Sequence, residues 1–238
     1  MKPAFFFIFL LIGQNLFAQE NESEAYHEAR MKLTIPPYGL AKVKTLISKI
    51  NGGEDDESGA LDSKVYTGLS LREKFTYHMI HAESYSQICD AEPPIQEEHK
   101  KIFANLPDAF GEQNWSARQK DFFLEHKDSV IEIMKESIAR TNKVGLNFKL
   151  AIIEMNGISI IPALLETYKK NTTTKDLDIL TTFMLLMTEN KYEPFLKSAS
   201  FTKLYSDDAD YMAFLNYNKA NEDLIIQRVT AFYNAQRK

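Results

Sequence analysis

Apolar residues fall three and four positions apart through most of this chain, and stretches in which apolar and polar residues alternate between hairpin turns are scarce. That spacing lays an apolar stripe along one side of a helix, so it predicts an all-α fold. Leu40, Val43, Leu46, Ile47 and Ile50 follow it until Asn51-Gly52-Gly53 stops the helix. Ser70-Leu71-Arg72-Glu73 forms a capping box, in which serine and glutamate satisfy free amides reciprocally, and opens a helix expected to reach about Glu83. Beyond Pro93-Pro94 a shorter helix is expected from Ile95 to Ala104. Ser116-Ala117-Arg118-Gln119 is a second capping box, and the helical region it opens bends or restarts near Asp128 and continues through Ile131, Met134 and Ile138. Leu224, Ile225, Val229 and Phe232 mark a final amphipathic helix.

Cys89 is the only cysteine in the 238 residues, so no intramolecular disulfide is available and apolar packing must carry the fold. Its surroundings follow from the other end of the chain. Lys2, the apolar run Phe5 to Ile12 and Leu16-Phe17-Ala18-Gln19 read as a signal peptide over residues 1–18, cut after the small Ala18. The apolar core of about eight residues falls short of the roughly twenty that span a bilayer, so the segment is a leader and not an anchor. Gln19 at the cut, where a lipoprotein has cysteine, argues against lipid attachment. The ending Phe17-Ala18-Gln19 resembles those of secreted Bacteroidota proteins; the resemblance carries no functional residue. The expected location is periplasmic or extracellular. No integral membrane segment is expected after cleavage, because the apolar stretches Ile158 to Leu165 and Phe183 to Met187 are too short.

Three segments follow: the signal peptide 1–18, an N-terminal helical region 19–115 with an acidic loop 51–63, and a C-terminal helical-hairpin region 116–238. The loop contains Glu54-Asp55-Asp56-Glu57 between glycines, a composition that favours solvation over packing. In the C-terminal region an offset of 32 residues maps Phe148, Ile152, Ile153, Met155, Pro162 and Leu164 onto Leu180, Met184, Leu185, Met187, Pro194 and Leu196. In each copy an apolar helix meets a turn, Asn156-Gly157 or Glu189-Asn190, and a proline then stands where the next helix begins. Over residues 144–205 this resembles HEAT-type α-helical hairpin repeats. The resemblance implies stacked antiparallel helix pairs, as an α-solenoid-like array or an irregular helical bundle.

Cleavage removes one lysine and no acid, leaving 27 basic against 33 acidic residues and a net charge of −6. Lys100-Lys101 and Lys169-Lys170 are isolated pairs, not a phosphate-tracking stripe, so nucleic acid is not an expected partner. The densest chemistry lies between Tyr77 and Asp90. His78 and His81 stand three residues apart, as two imidazole ligands on one helix face must, and Glu83, Cys89, Asp90 or His99 are the residues available to complete a zinc shell. The competing expectation sets both histidines on a solvated face while Phe75, Met79 and Ile80 pack inward. Cys89 is also a candidate nucleophile with His78 or His81 as base. Tyr66, Tyr77, Tyr85 and Trp115 form an aromatic group suited to a pocket or to core. No nucleophile elbow, phosphate-binding glycine loop or Cys-x-x-Cys pair is present.

The sequence therefore predicts an exported binding module for a protein or peptide, its partner another envelope or secreted protein. The enzyme alternative is a metal-dependent hydrolase centred on the His78-to-Cys89 segment, with Glu83 as base for zinc-bound water.

Overall fold

One helix organises the packing. Leu177–Glu189 buries ten of its thirteen residues, and a helix apolar on nearly every side must be enclosed by other elements. The computed structural model describes residues 22–50, 59–87, 95–172 and 174–237, so the signal peptide, residues 51–58 of the acidic loop, Cys89 and Asp90 lie outside the described residues.

In chain order the described helices are α1 (22–30), α2 (Leu40–Ile47), α3 (Ser63–Thr67), α4 (Leu71–Ile80), α5 (Ala117–Glu125) and α6 (Lys127–Thr141). They continue with α7 (Leu146–Glu154), α8 (Ile161–Lys170), α9 (Leu177–Glu189), the single turn α10 (Glu193–Leu196), α11 (Ala199–Tyr205) and α12 (Lys219–Gln236). The fold is mainly helical, and it also carries two short antiparallel ladders. Strand β1 (Ser84–Tyr85) pairs with β3 (Gln113–Asn114), and β2 (Lys101–Phe103) pairs with β4 (Phe214–Asn216).

The second ladder corrects the helix expected from Ile95 to Ala104. Its residues form a single 3₁₀ turn, Glu98–Lys100, followed by β2. Ile102 and Phe103 are buried against α9, where Thr181 Oγ1 donates to the Phe103 carbonyl at 2.8 Å. A helix there would leave the distant β4 without its partner. The helix opened by Ser70 likewise stops at Ile80 and not near Glu83, because the next residues extend to meet other segments. The Gly59 amide donates to the Glu83 carbonyl at 3.1 Å, and β1 follows at once.

Other punctuation forms as the sequence predicts. Ser70 Oγ accepts from the Glu73 amide and Glu73 Oε2 accepts from the Ser70 amide, closing the first capping box. Gln119 Oε1 accepts from the Ser116 amide at 3.1 Å, and the helical region breaks at His126 between α5 and α6. Pro162 and Pro194 occupy the first turns of α8 and α10, where a missing amide hydrogen costs no helical bond. The turns after α7 and α9 are joined by a reciprocal amide pair between Asn156 and Asn190, at 3.0 and 2.7 Å. The second copy departs from the first in that α8 is a continuous helix, whereas its counterpart is split into α10 and α11.

α9 packs against α7, α8, α10, α12 and β2. Phe183, Met184 and Met187 at its centre join Phe148 and Ile152 of α7 and Val229 and Phe232 of α12 in one continuous apolar core. A smaller cluster of Val43, Leu61, Tyr66, Leu69 and Tyr77 lies between α2, α3 and α4.

The N-terminal part is held to this core by polar contacts. Buried Arg30 donates Nε to both carboxylate oxygens of Asp178 at 3.0 Å and reaches Glu98 with Nη1, while its guanidinium lies 4.4 Å over the Phe103 ring. The segment after α1 runs extended across the start of α7. Leu146 donates to the Lys32 carbonyl and Gly145 to Thr34 Oγ1, at 3.0 and 2.8 Å. Asn147 completes the join: its Oδ1 accepts from the Thr34 amide, and its Nδ2 donates to the carbonyls of Thr34 and Met79. Gly145 is required because a Cβ there would stand 2.1 Å from the Thr34 nitrogen.

Candidate functional site

The residues singled out in the sequence lie at the end of α4, where the chain leaves the helix. Glu83 is buried and surrounded by donors. Tyr77 Oη donates to its Oε1 at 2.7 Å, Ser116 Oγ donates to its Oε2, and Arg118 places Nη2 2.6 Å from Oε1 and Nε 3.0 Å from Oε2. Burial pushes the Glu83 carboxyl up, but the bonds from Arg118, Ser116 and Tyr77 outweigh it and hold it below the usual carboxylate range. It is a stable carboxylate whose lone pairs are already engaged.

Arg118 also donates to the Leu61 carbonyl at 2.7 Å and lies 4.3 Å over the Tyr66 ring. Tyr66 Oη shares a 3.1 Å hydrogen bond with His78 Nε2, and burial pushes the Tyr66 hydroxyl up to about 12. His78 is fully buried among the rings of Tyr66, Tyr77, Phe122 and Phe123, with no partner for Nδ1. Burial first, then the Arg118 charge, keeps its pKa well below 6.5, so the ring is neutral. His81 follows the last turn of α4, and its Nε2 meets the Gly59 carbonyl.

His78, His81 and Glu83 are therefore near in sequence but engaged with different partners. His99 is separate again: it stands on the 3₁₀ turn beside Glu98, with Nε2 3.8 Å from Glu22 Oε2. Among the described residues no three histidine, cysteine, aspartate or glutamate side chains gather as a metal shell would. Cys89 lies outside the described residues. What the engaged groups accomplish is a clasp that joins the end of α4, the Gly59–Leu61 segment and the start of α5.

Trp115 connects the clasp to open surface. Its Nε1 donates to the His78 carbonyl at 2.8 Å, the next residue is the Ser116 that bonds Glu83, and its ring meets Phe123 at 4.8 Å edge to face. The outer part of Trp115, with Phe110 at 5.7 Å, walls a cleft of about 550 Å³. The floor is apolar: Leu150 and Ile153 from α7 and Leu185 from α9, all partly exposed. The loop between β2 and β3, with Gln113 and Asn114 of β3 itself, forms one side, tied back by the Asn105 side chain donating to the Tyr211 carbonyl and by the Ala104 amide donating to the Ala213 carbonyl.

Among the described residues the rim carries Asp108, Glu154 and Glu189 against one cation, Lys120. Lys120 Nζ lies 3.6 Å from Glu154 Oε2. Asp108 and Glu189 have no ion-pair or hydrogen-bond partner among the described residues and are exposed. Glu154 and Glu189 are the last residues of α7 and α9, where the negative ends of the helix dipoles add to the carboxylate charge.

Of these residues the sequence singles out Trp115 alone as a pocket candidate; Ile153, Leu185 and Glu189 enter only through the 32-residue match. Tyr66 and Tyr77 belong to the clasp and the core instead, and neither lines the cleft. The acidic residues carried no signal because they come from three separated segments. Compared with family models, with curated proteins and with solved structures, the chain matches none.

Proposed function

We propose that the protein is an exported binding module that seats a short segment of another envelope or secreted protein in the cleft beside Trp115. The observation that carries this reading is the cleft itself. Its volume of about 550 Å³ lies within the range of sites that enclose small ligands or a few side chains, and its apolar floor is ringed by polar groups. Such a composition offers apolar area for affinity and directed polar groups for register. The helix pairs of the C-terminal half act as the frame: α7 and α9 present their last turns side by side, and the Asn156–Asn190 amide pair joins the turns that follow. The clasp around Glu83 sets the position of Trp115, so a rigid buried network supports the aromatic wall.

Selection of a displayed heptapeptide library on the immobilised mature protein tests this reading. Trp115 is the only tryptophan in the chain, so occupancy of the cleft is read directly from its fluorescence. Enriched peptides should shift the Trp115 emission and lose binding to a Leu185→Phe variant, whose added ring fills the floor. A selection that yields no binder above background, or binders that leave Trp115 and the variant unaffected, would overturn the assignment.

A further inference from the structure

The chemistry of the rim narrows the occupant, and this step rests on the binding role proposed for the cleft. We infer that the segment it accepts is basic, presenting lysine or arginine side chains between apolar ones. Among the described residues the cleft is lined by three carboxylate side chains and one ammonium, Lys120, which lies 3.6 Å from Glu154. Asp108 and Glu189 hold no partner among the described residues, although ion pairs are frequent elsewhere. An arriving cation gains both charges without displacing an existing pair, whereas an arriving carboxylate meets uncompensated repulsion.

The walls agree with the rim. The Phe110 and Trp115 rings, 5.7 Å apart and edge to face at 65°, line the same cleft as the carboxylates. A guanidinium or ammonium packs on an aromatic face while its charged end reaches the acids, and its methylene stem covers the Leu150, Ile153 and Leu185 floor. The last turns of α7 and α9 contribute negative potential from the backbone in the same place. Side chain, ring and helix end thus favour one sign of charge and one shape: a cation on an apolar stem.

The test uses the whole mature protein and three end-blocked peptides of matched length, Leu-Arg-Leu-Arg-Leu, Leu-Gln-Leu-Gln-Leu and Leu-Glu-Leu-Glu-Leu, titrated against Trp115 fluorescence at low salt. The arginine peptide should bind about tenfold more tightly than the glutamine peptide, and the glutamate peptide more weakly than both. Raising sodium chloride to about 0.5 M should shrink the arginine preference, since screening acts on exposed charges. An Asp108→Asn, Glu189→Gln double variant should bring arginine and glutamine peptides to within about twofold of each other. Equal binding of arginine and glutamine peptides by the wild-type protein would overturn the charge inference and leave the cleft reading standing. An arginine preference that survives in the double variant would place the cation elsewhere and overturn it too. No change of Trp115 with any of the three peptides would overturn the cleft reading and the charge inference together.

Discussion

The Arg118 guanidinium closes on the Glu83 carboxylate at 2.6 Å across thirty-five residues of sequence, and this pair fixes where α4 ends and α5 begins. A buried carboxylate needs its counter-charge more than the counter-charge needs it, because desolvation penalises the ion left alone. Arg118→Met is therefore expected to lower stability by about 3 kcal/mol in urea denaturation, whereas Glu83→Gln, which keeps the shape and removes the buried charge, should cost less. Equal losses, or none in Arg118→Met, would show that the pair is solvated in solution.

Acid should weaken the fold in two stages. Burial and the Arg118 charge hold the His78 pKa well below 6.5, so below that pH the unfolded chain takes up a proton that the folded chain refuses. The stability contributed by neutral His78 is complete above pH 6.5 and is lost as pH falls. Glu83, whose pKa is lowered by its donors against the pull of burial, contributes above about its ordinary value of 4.5 and is lost below it. The urea midpoint should thus be flat near neutrality and begin to fall near pH 6.5. In His78→Gln the fall should begin only in the carboxylate range. The same onset in both proteins would remove His78 from the account.

Gly145 is the test of the extended segment that crosses α7. A methyl group there meets the Thr34 nitrogen at 2.1 Å, and relief requires breaking the contacts to Lys32, Thr34 and Asn147. Gly145→Ala should cost about 2 to 3 kcal/mol, read as a lowered melting temperature. An unchanged melting temperature would mean that the segment moves aside without loss.

Zinc should leave the melting temperature of the purified, untagged protein unchanged, because His78 Nε2, His81 Nε2 and Glu83 already hold Tyr66, Gly59 and Arg118. A rise in melting temperature on adding zinc that disappears in His81→Ala would support a metal site at this histidine.

Local chemistry was legible in the sequence, and long-range pairing was not. The Ser70–Glu73 box, the break near His126, the helix-starting Pro162 and Pro194, and the closing helix through Val229 and Phe232 all express interactions within a few residues. Ile102 and Phe103 misled because a short apolar run suits a strand as well as a helix, and what decides is β4, more than a hundred residues away. Histidine spacing drew attention to the end of α4, where His78, His81 and Glu83 each face a partner that spacing cannot reveal. Trp115 was visible only as one of an aromatic group with Tyr66, Tyr77 and Tyr85, suited to a pocket or to core. Asp108, Glu154 and Glu189 were not, since only folding brings the loop and the two helix ends around one cleft.

Occupancy of the cleft beside Trp115 by a peptide segment is read from acrylamide quenching of Trp115. In the free protein the half-buried ring should be readily quenched, and saturation with a peptide selected on the protein should reduce the quenching constant about threefold as the segment covers it. Quenching that stays unchanged while the same peptide is demonstrably bound would show that the peptide sits away from the Trp115 cleft.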